Sequence, residues 1–186
     1  MLKIDPTIYH NRPEDLRSEV EERCYDLLQW LCIPYIRVEH EPANTIEKCK
    51  EVETQLGCRI CKNLFLANRK QTSFFLLIMP GDKPFKTKYL SAQIGTSRLS
   101  FGDPEHMLRL LGTEPGSASV LGLMNDMDNK VRLLVDEDLK NRQFFGCHPS
   151  RNTTSLCFPT DNLFSVILPA IYHEPEFVKL PWEIDE

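Results

Sequence analysis

Behind Pro13, read as a first helical residue, apolar side chains recur at intervals of three and four: Leu16, Val20, Cys24, Leu27, Leu28 and Leu31. That spacing predicts an amphipathic helix ending before Pro34. Ile36 and Val38 then alternate with Arg37 and Glu39, the period of a short strand. Asn44 or Thr45 is placed to cap a second helix, with acids and lysines on its outer face, which Gly57 closes. Two apolar strands follow, Lys62 to Ala67 and Phe74 to Met79, around the turn Asn68-Arg69-Lys70-Gln71. Tyr89, Leu90, Gln93 and Ile94 suggest a short helix ending at Gly95. Asp103-Pro104-Glu105 is a helix start, Met107, Leu110 and Leu111 its apolar face, and Gly112 its stop.

The stretch from Thr113 to Ser119 has small side chains and no period, so it reads as a loop. Val120–Met124 and Val131–Val135 flank a turn-rich tip, Asn125 to Asn129, and predict a hairpin. Leu156-Cys157-Phe158 gives a final short strand. Thr160-Asp161 then caps a helix through Leu163, Phe164, Ile167 and Leu168, and the tail from Tyr172 to Glu186 is expected to pack in extended form. Strands and helices mix without a βαβ rhythm, which favours the α+β class over a doubly wound sheet.

A length of 186 residues, 41% hydrophobic and 26% charged, fits one globular domain with a core, residues 1–186. The longest apolar runs are too short to cross a bilayer. The start, Met1 to Pro6, has a charge but no long apolar stretch, so no secretion signal is read and a cytoplasmic protein without a membrane partner is expected. The net charge of −5 argues against coating nucleic acid by bulk electrostatics. It leaves room for contact with one nucleic-acid end through a local patch. Lys83, Lys86 and Lys88 form one such cluster and Lys48 and Lys50 a smaller one, with a solvated surface as the default for both.

Seven cysteines in such a chain are read as reduced thiols. Cys58-Arg59-Ile60-Cys61 suits half a zinc site, a redox pair or core thiols. Without a second pair at similar spacing, core thiols are the better reading. No nucleophile elbow, P-loop, dinucleotide fingerprint or HExxH is present, and no acid/base pair of carboxylates stands out. What remains is Lys62 at the mouth of an apolar strand, where a long stem packs on the core and an ammonium reaches into a cleft. The alternative is a solvated strand-end lysine. Gly112–Ser119 offers backbone N–H groups to a ligand, or is a plain connection. His148, in Cys147-His148-Pro149, is a loop imidazole, more often structural than catalytic.

In order along the chain stand Lys62-Asn63-Leu64-Phe65-Leu66, Leu99-Ser100-Phe101-Gly102, Leu111 to Ser117, Gly122 to Asp126, and His148-Pro149 with Asn152-Thr153. This series resembles the YbaK/prolyl-tRNA-synthetase-associated editing family, in particular its free-standing prolyl-tRNA editing members (the PrdX type), which are Ala-tRNA(Pro) deacylases. The match runs from about residue 27 to 180 as the core, with 1–26 as an N-terminal helical extension.

The resemblance implies a single YbaK-like domain, a mixed central sheet or barrel with surrounding helices, and no cofactor or metal. It implies a small pocket that hydrolyses alanine wrongly attached to tRNA(Pro), reached through the acceptor end, with prolyl-tRNA synthetase as a further partner. Lys62, Gly116 and His148 would be catalytic: Lys62 on the terminal adenosine's phosphate and ribose, Gly116 within the loop whose amides face the ester carbonyl, His148 near the aminoacyl group. Asn63, Gly112, Pro115 and Ser117 would bind substrate. Gly112 to Pro115 is one residue shorter than the synthetase insertion's spacing, and Arg151 adds charge after His148.

An aminoacyl ester is already activated, so positioning a water and stabilising an oxyanion suffice without a protein nucleophile. A synthetase pocket built for proline cannot strongly exclude alanine, since a lost methylene is worth only about 1–3 kcal/mol, and a second, smaller pocket corrects the error. Two other readings stand beside it: the same hydrolase acting on Ser- or Cys-tRNA, and a non-catalytic module that binds a tRNA end or the synthetase.

Overall fold

The seven consecutive buried residues of Phe74–Pro80 mark the centre of the molecule. A strand with no exposed position must be covered on both faces, and the computed structural model, which describes residues 2–43 and 45–184, shows how. Strand β3 (Phe74–Pro80) lies between β2 (Cys61–Asn68), antiparallel, and β5 (Val131–Asp136), parallel. The short β4 (Leu99–Phe101) and the late β8 (Pro175–Val178) complete a five-stranded sheet ordered β4-β2-β3-β5-β8. A second, antiparallel sheet is ordered β1 (Ile36–Glu39), β7 (Thr154–Pro159), β6 (Phe144–Cys147). The two meet where Ile60 bridges Gly146.

Alternation along the strands divides the interior. Cys61, Phe65, Phe74, Leu76 and Ile78 face a large core shared with α1 (Glu19–Trp30) and α4 (Pro104–Leu111). Leu66, Phe75, Leu77 and Met79 face a smaller one under α3 (Thr87–Gln93), closed by Val178 and Leu180. This is an α+β arrangement of two sheets with surrounding helices.

Caps explain most boundaries. Thr45 accepts the Lys48 N–H to start α2 (Ile46–Leu56), Asp103 accepts the His106 N–H to start α4, and Gly57 and Gly112 end them in the left-handed conformation. Asn44, the other expected cap, lies outside the described residues.

Several expectations are corrected. The first helix begins at Glu19, not Pro13: Glu22 takes the Arg17 N–H at its entry, and Leu16 stays 93% exposed. Residues before it run extended, with Ile4 bridging His40 and Tyr9 bridging Arg37. Arg37 points inward on its strand because Glu39 and the Tyr9 ring receive its guanidinium. There is no 120–135 hairpin. Val120–Asn125 is a 3-10 helix, and the Asp126 carboxylate closes the following turn on the N–H groups of Lys130 and Val131, 3.0 and 2.7 Å away. β5 is thereby delivered parallel to β3. Leu156–Phe158 is not the last strand, since β8 follows it from the tail.

Candidate active site

Lys62 is the second residue of β2 and its side chain shares a face with Leu64 and Leu66. It is half-buried, and its Nζ donates to the Lys83 carbonyl at 2.7 Å. It lines a cavity of about 190 Å³ with Thr45, Cys49 and Glu53 from the α2 side and Gly81 and Asp82 from the turn after β3. Burial lowers the pKa of the ammonium below the usual lysine range, opposed by the charge of Asp82 and by Cys49. A solvated strand-end lysine is therefore not what the chain makes. Glu53 spends its carboxylate on the Ile60 N–H at 2.9 Å and on Arg59 at 3.3 Å, so it is engaged rather than poised as a base.

Asn63, the next residue, faces the opposite side of the strand. Its Oδ1 accepts the Val120 N–H at 2.9 Å and its Nδ2 donates to the Cys61 carbonyl at 3.2 Å. It thus ties β2 to the end of the Gly112–Ser119 loop. Within that loop the Ser117 N–H closes a turn on the Glu114 carbonyl at 3.0 Å, with Pro115 second and Gly116 third at φ 88°. Proline then a positive-φ glycine is the signature of a type II turn. The Ser117 amide is consumed there, whereas the Gly116 N–H has no hydrogen-bond partner among the described residues. Gly116 and Pro115 are exposed, Gly112 is half-buried and Ser117 buried.

The loop is sewn to the His148 segment. Ser119 Oγ donates to the His148 carbonyl at 2.6 Å, and Thr113 Oγ1 to the Ser150 carbonyl at 3.0 Å. His148 is half-buried, and its Nδ1 is buried without a hydrogen-bond partner among the described residues. Burial, reinforced by the neighbouring His40, pushes its pKa down to about 4, so the ring is neutral at pH 7. A neutral imidazole can accept a proton from a water that it orients; an imidazolium can only donate.

The structure therefore forms two groups rather than one. Asn63, Gly112–Ser117 and His148 belong together, while the cavity beside Lys62 is lined by neither that loop nor His148. What they share is strand β2, whose edge is notched there. β4 pairs only with Leu66–Asn68, and β6 reaches β2 only through Ile60 and Gly146. On that side Lys62, Asn63 and Leu64 have no strand partner among the described residues.

No motif or period singles out Cys49, Gly81 and Asp82 in the sequence, and Thr45 is marked there only as a helix cap. Lys83 was misjudged: it is not a surface cation but 1% exposed, bonded to Asp136 at 2.8 Å and Asp138 at 2.9 Å. Cys58 and Cys61 are buried thiols. Burial pushes Cys61 up to about 12; contact with Cys157, then burial, raises Cys58. Thiols so protonated are poor nucleophiles and metal ligands.

A family model described as "Aminoacyl-tRNA editing domain" matches residues 40–165, which hold Lys62, the loop and His148. The chain belongs to the aminoacyl-tRNA editing domain family. Among similar proteins, the "Prolyl-tRNA editing protein ProX" of Acetoanaerobium sticklandii is 29% identical over 140 residues, 75% of this chain and 85% of the relative. The "Prolyl-tRNA synthetase associated domain-containing protein 1" of Mus musculus is 29% identical over 167 residues, covering 87% and 94%. A crystal structure described as a candidate trans-editing enzyme for prolyl tRNA synthetase superposes with a TM-score of 0.67 at 16% identity, over 89% of this chain and all of that one; the likeness shows the fold. Among the described residues, no helix is long and apolar enough to cross a membrane.

Proposed function

We propose that this member of the editing family is a trans-editing deacylase that hydrolyses the ester of alanine mischarged on tRNA(Pro). The observation that carries the reading is the half-buried Lys62 ammonium lining a small cavity on one face of β2, with the loop and its neutral histidine reached from the other face through Asn63. The 3′ end of the tRNA lies across the notch. Lys62, with two N–H donors left after the Lys83 carbonyl takes one, holds the terminal phosphate and ribose.

The ester carbonyl sits on the far face, where the unengaged Gly116 N–H stabilises the developing oxyanion. Neutral His148 orients the attacking water or the aminoacyl group. Pro115 and Gly116 shape the turn that presents this amide; Gly112 anchors the loop to α4, and Asn63 and Ser117 fix its other end. Selection is by size, a pocket too small for the proline ring sparing the correct product. ProX from Acetoanaerobium sticklandii, named a prolyl-tRNA editing protein, supports the proline-tRNA assignment, and prolyl-tRNA synthetase is the partner that would supply the substrate.

The test is a panel of Ala-, Ser-, Cys- and Pro-tRNA offered to the wild-type chain and to Lys62→Ala. Wild type is expected to deacylate Ala-tRNA(Pro), to spare Pro-tRNA(Pro), and to lose its activity in Lys62→Ala with the fold retained by circular dichroism. Full activity in that variant removes the assignment. Loss of Ser- or Cys-ester in place of alanine moves the specificity, and binding without ester loss makes the chain a tRNA-end module.

A further inference from the structure

The acceptor of the Lys62 ammonium is the carbonyl of Lys83, and Lys83 is itself a buried, tightly clamped cation. Its Nζ lies 3.0 and 2.8 Å from the two oxygens of Asp136, which is wholly buried at the end of β5, and 2.9 Å from Asp138. Trp182 closes the arrangement from the C-terminal segment, with Nε1 donating to the same Asp138 oxygen at 2.7 Å and its ring 5.0 Å from the Lys83 ammonium. The backbone between is a tight turn, the Lys83 N–H bonding the Pro80 carbonyl at 3.2 Å.

Stability alone does not call for this arrangement. A buried ion pair is on average no more stabilising than well-packed apolar residues of the same volume. What the clamp does that an apolar cluster would not is hold one particular carbonyl at one place, pinned on the sheet by β3 and on the far strand by β5. A flexible four-carbon lysine stem takes its direction from whatever receives its head.

We propose that Lys83, held by Asp136, Asp138 and Trp182, is a positioning residue that fixes the carbonyl orienting Lys62 in its cavity, a role that rests on the deacylase reading above. The C-terminal segment is then part of the site's machinery through Trp182, although it touches no substrate. The other charged and titratable groups lining the Lys62 cavity are Asp82, Cys49, Glu53, Arg59, Lys50 and Cys61; among the described residues none of them holds the ammonium by a hydrogen bond.

The experiment uses the full chain and compares Lys83→Met, Lys83→Arg, Asp138→Asn and Trp182→Phe with wild type. Two quantities are read: single-turnover hydrolysis of Ala-tRNA(Pro), and the titration of Lys62 followed by NMR of its labelled ε-carbon. Lys83→Met is expected to slow hydrolysis by about 10- to 100-fold, the range for a misplaced catalytic group. The Lys62 titration should move up toward that of a free lysine as the amine swings into water. Lys83→Arg should restore much of both, while Asp138→Asn and Trp182→Phe move both in the same direction by less.

If Lys83→Met does not fold, those two milder variants carry the test, because Asp136 still neutralises Lys83 in them. His173→Asn, a substitution in another buried pair, serves as the comparator for a general loss of stability. Rate and Lys62 titration unchanged in the folded variants, or shifted equally by His173→Asn, overturn the proposal. An inactive Lys62→Ala beside fully active clamp variants sinks the clamp alone; a fully active Lys62→Ala sinks the deacylase reading itself.

Discussion

His148 joins a half-buried ring to a main chain held by Ser119, and the consequence is a measurable dependence on acid. Its folded pKa, about 4, lies below the ordinary value of 6.5, with burial as the main cause and His40 as the second. The unfolded chain therefore binds a proton that the folded chain refuses, between those two values. The contribution to stability is fully present above pH 6.5 and is lost as the pH falls toward 4. A shift of this size corresponds to about 3 kcal/mol at the limit, and partial exposure of the ring makes the real loss smaller. Urea midpoints measured from pH 7 to pH 4 should fall in wild type and fall less in His148→Gln. A parallel decline in both would show that other groups carry the acid sensitivity. The same residue illustrates what a sequence conceals: Cys147-His148-Pro149 says nothing of the neighbours that desolvate the ring.

Among the elements, those written in local chemistry were legible. Thr45 and Gly57 bound one helix, Asp103 and Gly112 another, and the two apolar runs around Asn68–Gln71 are β2 and β3 in antiparallel register. Elements defined by distant partners were not. β4 and β6 are only three and four residues long and draw their identity from β2 and β7, while the 120–135 segment alternates like a hairpin but obeys Asp126. Lys62 and Asn63 are neighbours in the sequence, yet the strand's period of two puts them on opposite faces. The loop between α4 and the 3-10 helix offers an element-level test at Gly112, whose φ is 69° and where a Cβ would come 2.9 Å from Asn125 Nδ2. That amide is held by the Leu111 and Gly122 carbonyls. Gly112→Ala therefore combines left-handed strain with displacement of a double hydrogen bond. A loss of about 2–4 kcal/mol is expected from the two costs together. Differential scanning calorimetry should show it, and a shift of only a few tenths would mean that Asn125 yields freely.

At the scale of the whole molecule, the two sheets and their helices depend on a segment that arrives last. β8 lies parallel on β5, pairing Leu133 with Pro175 and Asp136 with Val178, and covers the edge that β5 would otherwise expose. Just before it, His173 enters the interior, Nδ1 toward the Ile171 carbonyl at 2.7 Å and Nε2 toward Asp126 at 3.2 Å. Burial pushes the Asp126 carboxyl up, but hydrogen bonds from His173, Val131 and Lys130 outweigh it and hold the group below its usual range. The same aspartate thus closes the turn into β5 and receives the tail that covers β5. A chain ending after His173 would keep that pair and lose Val178 and Leu180, both buried in the smaller core, together with Trp182. Burial of each aliphatic side chain is worth about 1.5–3 kcal/mol, so roughly 3–6 kcal/mol is removed from a domain whose total is about 5–15. The shortened protein should unfold at much lower urea and scatter light through its bared β5 edge. Editing activity per folded molecule should fall as well, because Asp138 loses its indole partner. Unchanged urea and scattering curves would mean that the α3 core is closed without β8, and normal activity in the folded fraction would separate the tail's structural role from any effect on Lys62.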